Sequence, residues 1–246
     1  MQELAGKRAL VTGASRGIGA AIATALADKG ADVAITYERS AERAAEVVAA
    51  VEGKGRKAVA IQADSGDPDS IQRAVDEAVH ALGGLNILVN NAGIVRYNNI
   101  ADFTVEDLDA LLAVNVRGPV LTAKAAIPHL KEGGRIITIG SAGADRIVGT
   151  TGTVYFMTKS ALQSFTRGLA RELGPRDITA NLVQPGSTNT EMNPEDGEFA
   201  DYQRSLTPLG RYGAPEDVAA AVAFLATPAA RQITGAILNV DGGVLT

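Results

Sequence analysis

The chain has 246 residues, a formal net charge of -5 at pH 7 and no cysteine, so it has neither a disulfide framework nor a thiolate metal site. Apolar residues make up 46% of the chain and aromatic residues only 4%, as is typical of helices packed on buried parallel strands. The sequence has no basic stripe, which argues against a nucleic acid partner. The two histidines, His80 and His129, are too far apart to suggest a metal cluster. No apolar leader and no membrane-spanning stretch is evident, so we predict a cytoplasmic protein without a membrane partner.

Short apolar segments alternate with helical patterns along the whole chain. One predicted helix ends near Lys29, another begins at Ala41 and a third begins near Asp69. Strands that alternate with helices predict right-handed crossovers and a parallel sheet covered on both faces. We therefore predict a single α/β domain over residues 1–246, doubly wound and Rossmann-like. The seven strand candidates are RALVTG, DVAITY, AVAIQAD, NILVNNAG, RIITIG, TANLVQPG and AILNVDGG.

Residues 190–214 interrupt this alternation with polar sequence that contains Pro and Gly. Such an insertion is typical of a lid or a substrate loop, and a plain surface excursion fits the pattern equally well.

A glycine-rich turn follows the first strand candidate and leads directly into a helix. Its glycines are Gly13, Gly17 and Gly19, in the spacing G-x-x-x-G-x-G. Glycines at such a turn let backbone amides approach a pyrophosphate, which then lies at the positive end of the helix dipole. The spacing departs from the common G-x-G-x-x-G pattern, but its position between strand and helix predicts nucleotide binding.

The end of the second strand indicates which nicotinamide cofactor fits. A carboxylate there would bind the ribose 2′-hydroxyl of NAD(H), whereas the 2′-phosphate of NADP(H) needs arginine. The strand ends in Tyr37, and Glu38, Arg39 and Ser40 follow, with Arg16 also available from the glycine turn. Two arginines and a hydroxyl favour NADP(H) over NAD(H), although Glu38 could serve the 2′-hydroxyl instead.

Tyr155, Lys159 and Ser141 suggest a proton-transfer site. Positions i and i+4 share one face of a helix, so the Lys159 ammonium would lie close to the Tyr155 phenol. A positive charge lowers the pKa of a tyrosine and lets it exchange a proton with a substrate oxygen near neutral pH. Ser141, after the RIITIG segment, could hydrogen-bond the same oxygen. A half-buried tyrosine beside a solvated lysine would show the same spacing.

The whole chain resembles the short-chain dehydrogenase/reductase family, and in particular its 3-oxoacyl reductases. The resemblance depends on the glycine turn, Asn90-Asn91-Ala92-Gly93, Asn115, Ser141, Tyr155 and Lys159, and Pro185-Gly186, which occur in the family's order. It implies a cofactor site formed by Gly13, Ser15, Arg16, Gly17, Ile18, Gly19, Tyr37, Arg39, Ser40, Asp64, Asn91, Ala92, Gly93, Tyr155, Lys159, Pro185, Gly186, Thr188 and Thr190.

The resemblance also implies roles. Tyr155 would be the general acid or base, and Ser141 would orient the substrate oxygen. Lys159 would lower the Tyr155 pKa and hold ribose hydroxyls, and Asn115 would hold a water of the proton relay. Asp64 would meet the adenine amino group, or else cap the helix that follows. Members of the family are commonly homodimers or homotetramers.

Glu132 and three loop segments bear on the choice of substrate. Glu132 stands where acyl-carrier-protein reductases tend to present a basic residue, so a free ketone or alcohol is favoured over a 3-oxoacyl thioester, although Arg176 is present. Three segments would line the pocket, namely 94–97, 142–149 and 190–214. Segments around residues 140–162 and 183–197 resemble the branch that contains a cyclic-di-GMP-binding biofilm-dispersal mediator. A nucleotide-binding regulator on the same scaffold is therefore the alternative to an NADP(H)-dependent oxidoreductase.

Overall fold

Seven parallel strands form the centre of the fold, as predicted. The computed structural model describes residues 2–147 and 149–246, so Val148, in one predicted pocket segment, lies outside the described residues. The sheet order is β3-β2-β1-β4-β5-β6-β7. The strands are β1 Arg8–Val11, β2 Asp32–Tyr37, β3 Ala58–Gln62, β4 Ile87–Asn90, β5 Arg135–Ile139, β6 Thr179–Pro185 and β7 Ile237–Val240.

Helices cover both faces of the sheet. Those that pack on one face are α1, α2 and α8, and those on the other are α3, α5 and α6. No helix among the residues that the structure describes is long and apolar enough to cross a membrane. The helices are α1 Gly17–Asp28, α2 Ala41–Glu52, α3 Pro68–Leu82, α4 Val105–Leu112, α5 Gly118–Ala126, α6 Thr153–Leu173, α7 Ala200–Ser205 and α8 Pro215–Ala226.

Alternation along the strands divides the core between the two helical layers. In β1, Leu10 packs with the α3, α5 and α6 side, whereas Val11 packs with α1 and α8, and both are fully buried. Successive side chains of a strand point to opposite faces, so a strand buried on both sides reads as a continuous apolar run. This is why the strands were visible in the sequence.

The predicted motifs all lie at the carboxyl edge of the sheet. Strand β1 pairs with β2 on one side and with β4 on the other. Strands β1 to β3 therefore extend across the sheet in one direction and β4 to β7 in the other, and the switch point lies between β1 and β4. Ligands of doubly wound folds bind in the crevice at this switch point. The fold therefore brings the glycine turn after β1 and the loop after β4 together.

The 190–214 segment, for which the sequence predicts a lid or a plain surface excursion, is folded. It carries the short helix α7, and Gln203 of that helix exchanges hydrogen bonds with Asn193 at 2.9 and 3.0 Å. Gln203 also accepts a hydrogen bond from Ser187 at 2.6 Å, which anchors α7 to the end of β6. The segment is thus a folded unit tied to the edge of the sheet where the site lies.

Candidate active site

Helix α6 carries the Tyr155 and Lys159 pair. The Lys159 ammonium nitrogen lies 5.9 Å from the centroid of the Tyr155 ring, as the i, i+4 spacing predicts. Lys159 is only 5% exposed, and its Nζ donates a hydrogen bond to the carbonyl oxygen of Ile139, at the end of β5, at 3.1 Å. This lysine is therefore buried at the floor of the cleft, and the solvated lysine considered from the sequence does not occur.

Burial shifts the pKa of both groups. It lowers the pKa of Lys159 to about 8, because the charged ammonium loses its hydration. Burial also raises the pKa of Tyr155; Tyr97 raises it further, and a hydrogen bond with Ser141 opposes the change. The sequence predicted a lowered Tyr155 pKa beside Lys159. In this structure burial decides the direction, and the pKa is raised instead.

Ser141 reaches the same place from β5. Its backbone is extended, it opens a short 3-10 turn over Ala142–Ala144, and its Oγ accepts a hydrogen bond from the Gly143 N–H at 3.2 Å. A Cβ on Gly143 would lie 2.0 Å from Phe156, whose ring makes an edge contact with Tyr155 at 5.2 Å between centroids. The close approach at Gly143 thus sets the distance between the serine turn and α6.

Asn115 is fully buried in a π-helical turn between α4 and α5. Its amide Nδ2 donates to the Ile94 carbonyl at 2.9 Å and to the Thr158 hydroxyl at 3.2 Å, and its Oδ1 accepts from the Ile94 N–H at 2.9 Å. A Cβ on Gly93 would lie 3.3 Å from Lys159 Nζ and 3.4 Å from Asn115 Oδ1. The structure therefore brings Asn115, Gly93 and Lys159 together. Single π turns are frequent at functional sites.

The glycine turn interlocks with the loop after β4. A Cβ on Gly13 would lie 2.8 Å from the Ala92 Cα, and one on Gly19 would lie 2.5 Å from the Asn91 amide nitrogen. Asn91 Nδ2 donates to the carbonyls of Thr12 and Gly13, at 2.8 and 3.0 Å. These contacts explain why two of the glycines occur here, and they fix the turn against the loop after β4.

The amino terminus of α1 fits an anion. Arg16 is its N-cap residue and makes no side-chain capping bond, and the first turn contains no acidic residue. The first N–H groups of a helix have no intrahelical partner, and together with the helix dipole they attract phosphate. Ser15 precedes this terminus. Ile18, in the first turn of α1, packs against the part of the core that lies beneath α1, α2 and α8. The turn and the helix terminus together fit a pyrophosphate.

The residues after β2 lie at the same edge. Tyr37 is half-buried, Arg39 has a side chain that is 88% exposed, and Ser40 is the N-cap residue of α2 without a side-chain capping bond. Arg39 Nε bonds Glu38 at 2.9 Å, so Glu38 is engaged by its own neighbour. Arg16 bonds a different carboxylate, that of Glu191, at 2.8 Å.

Asp64 is exposed at the end of β3 and does not cap α3. Its Oδ1 accepts from the Gly66 N–H at 2.7 Å, whereas Asp67 is the cap of α3 and accepts from the Ser70 N–H at 2.8 Å. The capping alternative for Asp64 is therefore wrong. Asp64 therefore lies exposed at the carboxyl edge of the sheet.

The end of β6 supplies the last group of predicted residues. Pro185 ends the strand, and a Cβ on Gly186 would lie 2.7 Å from the Asp241 Cα, so only glycine fits there. Thr188 is 5% exposed and donates to the Gly186 carbonyl at 3.1 Å. Thr190 lies across the glycine turn, since a Cβ on Gly17 would be 3.4 Å from its methyl group.

Sequence reasoning missed three residues near this edge. Thr12 Oγ1 accepts hydrogen bonds from the N–H groups of Asn91 and Ala92, both at 3.0 Å, and so joins the two loops. Arg43 and Glu191 form an ion pair between α2 and the 190–214 segment. A threonine at the end of a strand could have been noticed from its position, but no local pattern pairs residues 148 positions apart.

Arg176 has a structural role. Its guanidinium donates to the carbonyls of Ile127 and Leu130, at 3.0 and 2.7 Å, beyond the end of α5. Glu132 is exposed nearby. Within residues 2–147 and 149–246, no group of three or more His, Asp and Glu side chains could hold a metal ion.

Comparison with known proteins gives concordant matches over almost the whole chain. A family model described as enoyl-(acyl carrier protein) reductase matches residues 13–245. The solved short-chain dehydrogenase from Burkholderia cenocepacia J2315, in complex with NADP, is 56% identical, with a TM-score of 0.98 over 99% of this chain and 100% of that one. Versicolorin reductase stcU from Emericella nidulans is 44% identical over 98% of this chain and 96% of that protein. The cyclic-di-GMP-binding biofilm dispersal mediator protein of Escherichia coli K12 is 42% identical over 98% of each chain.

Proposed function

Because this chain belongs to the short-chain dehydrogenase/reductase family, we propose that it is an NADP(H)-dependent oxidoreductase that interconverts a ketone and a secondary alcohol. The observation that carries the proposal is the convergence of Tyr155, Ser141 and Lys159 at the carboxyl edge of the sheet, beside an open helix terminus. A hydroxyl pair and a buried amine in one cleft are suited to moving a proton to or from a carbonyl oxygen.

The site has the features needed to hold the cofactor. The glycine turn and the terminus of α1 would take the pyrophosphate, and Asp64 and the 91–93 loop would border the adenosine. Pro185, Gly186, Thr188 and Thr190 would border the nicotinamide. Bound there, the cofactor supplies or accepts the hydride. The remaining predicted contacts, Tyr37, Arg39 and Ser40, would lie at the ribose of the adenosine.

Tyr155 acts as the acid in ketone reduction. Its raised pKa keeps the phenol protonated at neutral pH, so the proton is present when the carbonyl oxygen becomes an alkoxide. Ser141 donates a second hydrogen bond to that oxygen and fixes its position. One hydride and one proton convert the ketone to the alcohol, and Tyr155 recovers its proton from solvent. In the reverse direction the deprotonated form of the same residue accepts the proton of the alcohol.

Lys159 and Asn115 support this transfer. Lys159, buried beside the Tyr155 ring, would bind ribose hydroxyls and pass a proton toward Tyr155. Asn115 fixes the Ile94 backbone and borders Lys159 through Gly93, and it would support the water that connects Lys159 to solvent.

The positions of two arginines favour NADP(H) over NAD(H) as the cofactor. Arg16 lies at the terminus of α1 and Arg39 directly after β2, where the 2′-phosphate would be placed. Glu38, which could have served the 2′-hydroxyl of NAD(H), is paired with Arg39. The Burkholderia cenocepacia relative, 56% identical, is a complex with NADP, which supports the same preference.

A free ketone fits better than a carrier-bound thioester. Arg176, the one basic residue noted for carrier docking, is bonded to backbone carbonyls, and Glu132 beside it is acidic. Tyr97 makes an edge contact with Tyr155 at 6.0 Å between ring centroids, so an aromatic surface borders the reacting position. The folded 190–214 segment would close over the substrate as a lid. A cytoplasmic location and a homotetramer or homodimer stay predictions from the sequence.

The first experiment measures oxidation of NADPH and NADH by the purified protein with a 3-oxoacyl thioester, a cyclic ketone, an aryl ketone and a 1,2-diketone. We expect turnover with a free ketone and NADPH, and a loss of at least about a hundredfold in Tyr155→Phe with NADPH binding retained. Full turnover in Tyr155→Phe would contradict the assignment of the acid. Turnover with the thioester alone would indicate the acyl reductase.

The Arg39 side chain provides a separate test of cofactor choice. Arg39→Asp removes a charge-assisted hydrogen bond to the 2′-phosphate and adds repulsion between two negative charges. It should therefore weaken NADPH binding by at least about tenfold and NADH binding much less. Equal losses would show that Arg39 is not a specificity residue.

A nucleotide-binding regulator is the second candidate, because the Escherichia coli relative is named a cyclic-di-GMP-binding protein. Under this alternative the protein binds NADPH without turning over any ketone in the panel, and it binds cyclic-di-GMP. Titration calorimetry with cyclic-di-GMP, with and without NADPH, distinguishes the two functions. The joint presence of Tyr155, Ser141, Lys159 and Asn115 favours the enzyme, since a pure binder has no need of a proton-transfer set.

A further inference from the structure

Glu191 joins two arginines that come from different helices. Its Oε2 lies 2.8 Å from Nη1 of Arg16, and its Oε1 bonds Nη1 of Arg43. Arg16 stands at the terminus of α1, Arg43 lies in the first turn of α2, and Glu191 belongs to the 190–214 segment. Two guanidinium groups therefore converge on the two oxygens of one carboxylate.

This arrangement is suited to a phosphate. Guanidinium groups bind carboxylate and phosphate oxygens through the same planar N–H geometry, so a site that holds one holds the other. Ser40, the N-cap residue of α2, makes no side-chain capping bond, and Arg43 lies in the first turn of the same helix. Arg39, in contrast, is bonded to Glu38 and is 88% exposed.

We propose that Arg43, together with Arg16, is a specificity-determining residue for the 2′-phosphate of NADP(H), and that the Glu191 carboxylate occupies this two-arginine site until the phosphate displaces it. The inference rests on the proposed function, since it concerns the cofactor of that reaction. It adds a third arginine and a competing carboxylate to the arginines expected from the sequence.

The competition gives Glu191 a defined effect. NADPH must separate Glu191 from both arginines, whereas NADH, which lacks the phosphate, leaves the ion pairs in place. Thr190, the preceding residue, packs against Gly17 of the glycine turn, so Glu191 stands where the 190–214 segment meets that turn. The three side chains are 46–58% exposed, and exposed ion pairs contribute little to stability, so substitutions here leave the fold intact.

The test titrates NADPH and NADH separately into the wild-type protein, Arg43→Gln, Glu191→Gln and the double variant. Binding is followed by the fluorescence of the reduced nicotinamide, and the chain contains no tryptophan to interfere. Arg43→Gln should weaken NADPH binding by about tenfold, because one charge-assisted hydrogen bond is lost, and should leave NADH binding unchanged. Glu191→Gln should tighten NADPH by about three- to fivefold, the size of an exposed ion pair. In the double variant most of that gain should disappear.

Matched controls remove the same charges elsewhere. Arg73→Gln on the exposed face of α3 and Glu198→Gln in the lid segment should leave both affinities within about twofold of the wild type. The proposal is overturned if Arg43→Gln weakens both cofactors equally or neither, or if Glu191→Gln weakens NADPH. Failure of the wild-type protein to bind either cofactor would instead overturn the proposed function, and this inference with it.

Discussion

Asn115 binds both the N–H and the carbonyl oxygen of Ile94, each at 2.9 Å, from a fully buried position in a π-helical turn. One side chain thereby satisfies two backbone groups of the loop that follows β4. Because Gly93 approaches Lys159 and Asn115 together, the placement of this loop and the placement of the buried lysine depend on the same amide. The contact connects the π turn to the reacting position.

Replacement of Asn115 by Ala tests this connection. The substitution leaves two backbone groups of Ile94 without a partner, which should lower the free energy of unfolding by about 2 kcal/mol and reduce kcat by at least about tenfold. Urea denaturation and steady-state rates measure the two effects. Asn98→Ala, which removes an exposed amide from the same region, should change stability by less than about 0.5 kcal/mol. Equal stability of the two variants would contradict the role given to Asn115.

Lys159 should be a site where function opposes stability. Its pKa is lowered from 10.5 to about 8 by burial, so the native state at pH 7 holds a charge that the unfolded state solvates better. Lys159→Met should therefore raise the free energy of unfolding by about 1–3 kcal/mol at pH 7, with the lost hydrogen bond to Ile139 as an opposing effect. The same variant should lose turnover.

The pH dependence of that difference has a definite sign. Between about pH 8 and 10.5 the unfolded chain binds a proton on Lys159 that the native state has lost, so the wild-type protein gains stability there as pH rises. The advantage of Lys159→Met should be complete below pH 8 and vanish as pH approaches 10.5. Urea midpoints of both proteins at pH 7, 8, 9 and 10 measure it. A difference independent of pH would show that Lys159 is not charged and buried in the native state.

Patterns of neighbouring residues were sufficient to predict the fold. Continuous apolar runs marked β1, β2, β4, β5 and β6, which are buried on two faces, whereas β3 and β7 are partly exposed edge strands that were recognised from the alternation with helices. The i, i+4 spacing placed Lys159 beside the Tyr155 ring.

Quantities that depend on packing could not be predicted in this way. The direction of the Tyr155 pKa shift follows from burial by several elements, which a spacing does not report. The π turn at Asn115 and the bond of Asp64 to Gly66 depend on tertiary contacts and on the details of one loop. The Glu191 ion pairs join residues far apart in the chain, so no local pattern could reveal them.

The serine turn can be moved by a single methyl group. In Gly143→Ala the new Cβ would lie 2.0 Å from the Phe156 ring, so the ring and the turn that carries Ser141 must separate. Overpacking of this kind should lower the free energy of unfolding by about 1–3 kcal/mol and reduce kcat more than NADPH affinity. Phe156→Leu combined with Gly143→Ala should restore part of both losses. A double variant no better than Gly143→Ala would show that the clash with Phe156 is not the cause.

The glycine turn allows backbone strain to be separated from cofactor binding. Gly13 has φ of 61°, and its Cβ would meet the Ala92 backbone at 2.8 Å, so Gly13→Ala should destabilise the protein by about 2 kcal/mol or more and weaken NADPH strongly. Gly55 also has a positive φ, of 71°, but its Cβ would stand in open space. Gly55→Ala should therefore lower the free energy of unfolding by about 1 kcal/mol and leave NADPH affinity unchanged. Gly168 lies inside α6 with open space around it, so Gly168→Ala should raise the free energy of unfolding by about 0.5–1 kcal/mol. Thermal unfolding measures the stability of the three variants, and NADPH titration measures their affinity for the cofactor. Comparable losses of NADPH affinity in Gly13→Ala and Gly55→Ala would show that backbone strain, and not the glycine turn, causes the weaker binding.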